Sequence, residues 1–380
     1  MRKTLLCMSI FFAITQFTVF CGTDTPVQTL TGHTAWINSI AFDPTGKWLI
    51  SSSWDSTINL WSFNKKKYEW TYKQTLNKSI DPFVSVAFAS TGIWLASSSR
   101  ETIKLWYFNS KNNEWTHGQT LTDNTGWIHQ VVFDQTGKWL ASITNTDRFP
   151  DNFIRLWVFD FEKCEWILKQ TLTEPSGFTT SVAFNPSEKW FASATGKIIK
   201  LSIFDFEKCE WIFKQTLTGH TDLIHSVTFD PTGKWLASCS SDKTIKLWWF
   251  DSKNNEWIYK QTLTGHTHII YSVTFDPTGK WLASCSYDKT IKLWYWFSEK
   301  LKWLCNQTLI GHTDQIRAIA FHPTENLLAS GSWDKTIKLW AIPSKPLTEC
   351  IFTSNGLTTY ELKKRKPINI ESQPGGPYWY

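Results

Sequence analysis

The sequence lacks any concentration of charge of one sign. Its formal net charge is +6 over 380 residues, and most of the excess sits at the ends, with +2 in residues 1–21 and +2 in residues 341–380. Only +2 is left for everything between. Binding nucleic acid by counterion release needs a concentrated basic face, so nucleic acid is not expected as a partner. The eight cysteines do not make a disulfide framework. Cys164 and Cys209 fall at equivalent places in two copies of FEKCEW, as do Cys239 and Cys285 in two copies of ASCS. Equivalent places on adjacent repeats should lie farther apart than the roughly 7 Å between Cα atoms that a disulfide bridges. Cys239 and Cys285 therefore read as small buried strand residues, which weakens the case for an oxidising destination. No G-x-S-x-G elbow is present. The pair His266 and His268 has no Cys or carboxylate at ligand spacing, so neither a metal nor another cofactor is expected.

What the chain has instead is repetition and aromatic surface, with 25 Trp and 26 Phe. Gln-Thr-Leu recurs with its leucine at Leu30, Leu76, Leu121, Leu172, Leu217, Leu263 and Leu309, in steps of 46, 45, 51, 45, 46 and 46 residues. A fixed period of this size marks a repeat of four short strands, and seven units with one period argue for one domain. Residues 215–250 serve as the template. Residues 224–229 read as the innermost strand, 235–240 as the second, 244–250 as the third and 256–263 as the outermost. Asp230-Pro231-Thr232-Gly233 supplies the first turn and Ser241-Asp242-Lys243 the second.

Gly219-His220, the Asp242 turn and Leu247-Trp248, registered in this way over about residues 27–340, resemble the WD-repeat (WD40) family. The resemblance implies an all-β fold, a seven-bladed β-propeller of four-stranded antiparallel blades. A four-stranded unit cannot bury both of its faces alone, so the units must stack into a ring. The seventh unit has no clear copy of the outermost strand after Trp340, while PVQTL at 26–30 matches only the end of one. The N-terminal segment is expected to close the ring, with ECIFT at 349–353 as the rival.

The resemblance also implies a hydrogen-bonded tetrad in each complete unit. These are His33, Ser51, Asp55 and Trp61; His220, Ser238, Asp242 and Trp248; His266, Ser284, Asp288 and Trp294; and His312, Ser330, Asp334 and Trp340. The carboxylate accepts from one imidazole nitrogen, the other nitrogen accepts from the Ser hydroxyl, and the Ser oxygen takes the indole N–H. The same residue types invite a hydrolase reading. Repetition of the set in separate units, within a sheet and away from a mouth, argues for structure over catalysis. Units two to four depart from the pattern, with Ser79 and Asn124 in place of His, Arg100 in place of Asp, an insertion at 145–150, Gly177-Phe178 in a rearranged loop, and Ser202 in place of Trp. These blades are expected to be less tightly locked. Trp235 with its copies, and Trp257 with its copies, recur in step with the sheets and are expected to pack between blades.

In WD-repeat proteins partners commonly dock on the face that bears the turn between the second and third strands. Mapped here, that face carries Trp54, Tyr287 and Trp333 in the turns, joined by Trp36, Asn38, Tyr271 and Arg317. Trp, Tyr and Arg dominate binding energy at interfaces. The expected function is a non-enzymatic scaffold that binds a protein or peptide there, as a monomeric propeller within a larger complex. The rivals are a hydrolase or lyase at the channel mouth, or a carbohydrate-binding propeller. Residues 1–21 read as a secretory signal, with the apolar run 5–20 behind Arg2 and Lys3. No membrane span is expected after cleavage, and the chain is expected to be exported; the alternatives are an uncleaved anchor or a cytoplasmic protein. Residues 22–353 form the expected propeller, and 354–380, with the basic cluster Lys363 to Lys366, an expected disordered tail.

Overall fold

The computed structural model describes residues 24–78, 81–82, 84–122, 126–145, 152–174, 177–187 and 189–346. The expected signal at residues 1–21, the expected tail at 354–380, the rival closing strand at 349–353, Ser79, Asn124 and the insertion beyond Asn145 lie outside the described residues. By its contacts the chain divides into Met1–Ile342 and Pro343–Tyr380, and all the blades belong to the first unit. Among the described residues no helix is long and apolar enough to cross a membrane.

Alternating apolar residues and turn residues fold each repeat into four antiparallel strands. In the fifth repeat these are Ile224–Phe229, Trp235–Ser240, Ile245–Asp251 and Glu256–Leu263, paired in sequence order. The first turn is closed by its own side chains. Asp230 Oδ2 accepts from the Thr232 hydroxyl at 2.5 Å, Oδ1 accepts from the Trp235 amide at 2.7 Å, and Gly233 takes φ +70°, which glycine adopts freely. The third strand starts at Ile245, one residue later than the sequence implied. Thr244 is committed to the turn, since its amide and hydroxyl donate to Asp242 Oδ1 at 2.9 and 2.6 Å.

Seven such sheets are present. Their innermost strands, Ile37–Phe42, Ser85–Phe88, Trp127–Phe133, Thr179–Phe184, Ile224–Phe229, Ile270–Phe275 and Ile316–Phe321, each contact the next, and the last contacts the first. The result is a closed seven-bladed propeller around a central channel. The N-terminal strand Gln28–Leu30 forms the outer edge of the last blade, antiparallel to Ile337–Ala341 with Gln28 opposite Leu339.

Seven apolar clusters lie between adjacent blades, one at each interface. Between blades four and five, Ala192, Leu201 and Leu217 pack against Val227, Leu236 and Trp257. The recurrent tryptophans belong to these interfaces. Trp190 meets Trp257 edge-on at 6.3 Å, and Trp235 meets Trp303 at 6.2 Å.

The glutamine of Gln-Thr-Leu stitches the outer rim. Gln215 Nε2 donates to the Trp257 carbonyl at 2.8 Å while its Oε1 accepts from the Trp257 amide at 2.9 Å. Gln119, Gln170 and Gln261 grip Trp166, Trp211 and Trp303 in the same way. Gln28 does so across the closure, holding Trp70 at 2.8 and 2.9 Å. One amide thus satisfies both backbone groups of a residue on the next blade's outermost strand, where an unpaired edge is otherwise open to pairing with other chains.

Candidate functional site

Each tetrad residue comes from a different part of its blade: His from the lead-in to the innermost strand, Ser from the second strand, Asp from the following turn and Trp from the third strand. In blade five His220 Nδ1–H donates to Asp242 Oδ2 at 2.7 Å, Ser238 Oγ lies 2.9 Å from His220 Nε2, and Trp248 Nε1–H donates to Ser238 at 3.2 Å. The corresponding distances are 2.9, 2.7 and 3.0 Å for His33, Asp55, Ser51 and Trp61. They are 2.8, 2.9 and 2.9 Å for His266, Asp288, Ser284 and Trp294, and 2.7, 2.7 and 2.8 Å for His312, Asp334, Ser330 and Trp340. Burial pushes the Asp242 carboxyl up, but hydrogen bonds from Thr244 and His220 outweigh it and hold the group below the usual carboxylate range. Asp55, Asp288 and Asp334 are held down by the same kinds of partner. Burial lowers His220 and His312 despite their aspartates, which matches a neutral imidazole donating from Nδ1. Ser51, Ser238, Ser284 and Ser330 are 0% exposed, each accepting an indole N–H, so their hydroxyls face the sheet interior.

Blades two to four carry other polar bracing where the tetrad is incomplete. Trp106 and Trp157 still donate to Ser97 and Ser142, both at 3.0 Å. Arg155 Nη1 donates to Thr144 at 3.0 Å inside blade three, and Asn152 Nδ2 donates to the Gly177 carbonyl at 2.9 Å. In blade four, which has Ser202 in place of Trp, Lys200 Nζ pairs with the buried Glu174 at 2.5 Å.

The aromatic residues of blades six, seven and one converge on the tetrad side of the ring. The indoles of Trp36 and Trp333 stack at 3.8 Å with their planes 3° apart, and Trp54 leans on Trp36 at 5.5 Å. Arg317 lies over Trp333 at 5.7 Å and over Tyr271 at 4.1 Å. Tyr271 faces Tyr287 at 6.5 Å, and Tyr287 stacks on His268 at 4.1 Å. Trp54 is 47% exposed, Tyr287 41% and Trp36 37%, so the row reaches solvent. Backbone pairs fix it to the blades: the Trp54 amide donates to the Trp36 carbonyl at 2.9 Å, that of Tyr287 to Ile269 at 2.9 Å, and that of Trp333 to Gln315 at 3.0 Å.

Asn38, Tyr271 and Arg317 share a further feature. Each is the residue skipped in the pairing of its innermost strand, a β-bulge between Ile37 and Ser39, Ile270 and Ser272, or Ile316 and Ala318. His129, Thr180 and His225 occupy the same bulge in blades three, four and five. A bulge re-aims its side chain; among the described residues six of the seven blades carry one here, and the Arg317 charge acts on His129 and His225 from across the ring, which puts these side chains at the channel mouth. The two histidines were not singled out in the sequence. Counting five residues on from each tetrad His reaches Asn38, His225, Tyr271 and Arg317, which was the available signal. Burial and the Arg317 charge lower both His129 and His225, the latter to about 4, with Asp222 acting against the shift at His225.

Among the described residues no three His, Cys, Asp or Glu side chains are grouped to hold a metal ion. His268 is engaged by Tyr287, and His266 belongs to its tetrad. Cys164, Cys209, Cys239, Cys285 and Cys305 are free thiols, with Cys239 and Cys285 buried in their strands.

The family model for the WD domain, G-beta repeat, matches residues 24–62, 70–107, 166–201, 211–248, 257–295 and 303–341. The gap between the second and third of these segments holds the first three strands of blade three, the unit with Asn124 and the insertion. Among curated proteins, a stretch of 40 residues is 45% identical to nuclear distribution protein nudF 2 of Penicillium rubens, covering 10% of this chain and 9% of that protein. Another of 47 residues is 36% identical to ribosome assembly protein 4 of Saccharomyces cerevisiae, covering 12% of this chain and 9% of that protein. The chain therefore spans about a tenth of the length of either relative in its match. With six segments matched over more than half of its length and seven four-stranded blades in a ring, the chain belongs to the WD40 family.

Proposed function

We propose that this propeller is a non-enzymatic scaffold that holds a protein or peptide partner on the tetrad side of blades six, seven and one. The observation that carries the reading is the unbroken row Trp54, Trp36, Trp333, Arg317, Tyr271 and Tyr287, half-buried to exposed and pinned by backbone bonds. Large rigid side chains of these types anchor interfaces at low cost in conformational entropy, and holding them on strands and tight turns pre-organises the surface. The names of the two relatives concern nuclear distribution and ribosome assembly, neither of them a chemical reaction. The exposed row has no counterpart among the recurrent core tryptophans, which face neighbouring blades.

Affinity capture from the native source tests the reading, with wild type beside the double variant Trp54→Ala, Trp333→Ala. A saturable partner of wild type that the folded variant does not retain supports it. Equal recovery by both proteins contradicts it.

A further inference from the structure

Six bulge residues stand at the channel mouth, Asn38, His129, Thr180, His225, Tyr271 and Arg317, and Val84 directly precedes the innermost strand of blade two at the corresponding place. None of the seven is acidic. Arg317 is the one permanent charge, and its surroundings are specific. Tyr271 covers it at 4.1 Å and Trp333 approaches at 5.7 Å, so the guanidinium is held by aromatic faces. Among the described residues no carboxylate lies within 4.0 Å of it. Its N–H donors lie in the plane of the group, where a planar carboxylate takes two at once. His225, 5.3 Å from Tyr271 and bonded through Nε2 to the Ser241 hydroxyl at 2.7 Å, stands on the next blade. His129 shares the field of Arg317 from blade three.

An incoming anion therefore meets a fixed cation without breaking an internal ion pair, and it meets two imidazoles able to take up a proton. The exposed indoles of Trp36 and Trp54 beside it cover apolar residues but offer no charge. We propose that the channel mouth receives a side-chain carboxylate of an acidic peptide segment, with Arg317 as its anchor, His225 and His129 flanking it, and Trp36, Trp54 and Tyr287 covering the apolar residues next to it. This rests on the reading that the tetrad face docks a protein, and it names the chemistry of what enters.

The proposal carries a pH dependence of known sign. Arg317 lowers both imidazoles and Asp222 raises His225. A bound carboxylate adds a negative charge and so raises both, which links binding to proton uptake. Affinity then increases as pH falls from 7.5 towards 5.5, where the carboxylates of the probe are still ionised.

Hexaglutamate, hexaglutamine and inorganic phosphate are the probes, titrated at constant ionic strength into full-length protein with ¹⁵N-labelled histidine. The expected result is that hexaglutamate shifts the His225 and His129 resonances and raises their pKa, leaving His220 and His312 in place. It should bind about threefold or more tightly at pH 5.5 than at pH 7.5, and hexaglutamine should do nothing. Arg317→Gln should weaken hexaglutamate by about tenfold or more and, without probe, raise the pKa of His225. Arg317→Lys, which keeps the charge but not the fork, should fall between, and also serves if the Gln variant is unstable. Hexaglutamate binding unchanged in both Arg317 variants overturns the proposal, as does absence of binding to wild type. Phosphate shifting the same histidines while hexaglutamate does not overturns it in favour of a phosphate group. Loss of the native partner in the Trp54, Trp333 double variant but not in Arg317→Gln refutes the carboxylate and leaves the docking face standing. Loss in neither refutes both.

Discussion

Asp242→Asn in blade five is a near-isosteric change with a calculable effect. The wild-type carboxylate accepts four hydrogen bonds: Oδ2 from His220 at 2.7 Å and from the Thr221 amide at 3.1 Å, and Oδ1 from the Thr244 amide at 2.9 Å and hydroxyl at 2.6 Å. Asparagine keeps one acceptor oxygen, and placing it on Thr244 turns an NH₂ group towards two N–H donors. Two bonds are lost and donors are left facing donors in a half-buried site, for about 3 kcal/mol in all at roughly 1–3 kcal/mol per unsatisfied group. Urea unfolding followed by both tryptophan fluorescence and circular dichroism measures the loss as a lower midpoint at unchanged slope. The acid arm has a definite sign. The folded carboxyl is held below its unfolded value of 3.8, so its contribution is present above about pH 4 and is lost as pH falls through the folded pKa. The gap between wild type and variant should therefore narrow below about pH 4. A loss under about 0.5 kcal/mol at neutral pH, within the range of ordinary surface substitutions, refutes the view that the tetrads lock the blades.

Other consequences follow from the turns and the rim. Gly46 and Gly92 both have φ +69°, but a Cβ on Gly46 meets His322 at 2.3 Å while one on Gly92 meets nothing within 4 Å. Alanine at Gly92 should cost about 1 kcal/mol from the backbone alone. At Gly46 it should cost about 2 kcal/mol more, because the imidazole that donates to the Gly46 carbonyl at 3.0 Å is displaced; equal losses in urea contradict this. Gln215→Leu removes both bonds to Trp257 and should cost about 2 kcal/mol, whereas an unchanged urea midpoint shows that the rim does not depend on the stitch. Cleavage of the expected signal at residues 1–21 is checked by N-terminal sequencing of protein from the native source. A mature chain starting near Gly22 supports the signal segment, and an intact Met1 contradicts it.

The ring was legible in the sequence because every repeat spells the same strands and turns. The innermost, second and outermost strands of blade five fall where alternation placed them, while the third is shifted by one residue at each end, to Ile245–Asp251, with Thr244 drawn into the Asp242 turn. The aromatic row was legible for the opposite reason, since Trp54, Tyr287 and Trp333 break a position that a strict repeat leaves polar, as Ser241 does. What the sequence concealed depends on partners with no pattern of their own. The rim glutamines bind backbone groups 41 to 47 residues away. Glu174 and Lys200 brace blade four across 26 residues with types foreign to the template. His225 stands five residues after its tetrad His, a spacing present in the sequence, but its turn towards the channel, like that of His129, became visible only once the bulges were defined.

The central claim is that the tetrad side of blades six, seven and one docks a partner. Hydrogen–deuterium exchange on the captured complex locates the docked surface directly. The account predicts slowed exchange at the amides of Trp54, Tyr287 and Trp333 and of the lead-ins holding Trp36, Ile269 and Gln315, where the wild-type backbone pairs join turn to strand. Protection confined to the opposite side, at the turns from Asp43 to Gly46 and from Asp276 to Gly279, with these amides unchanged, would contradict it.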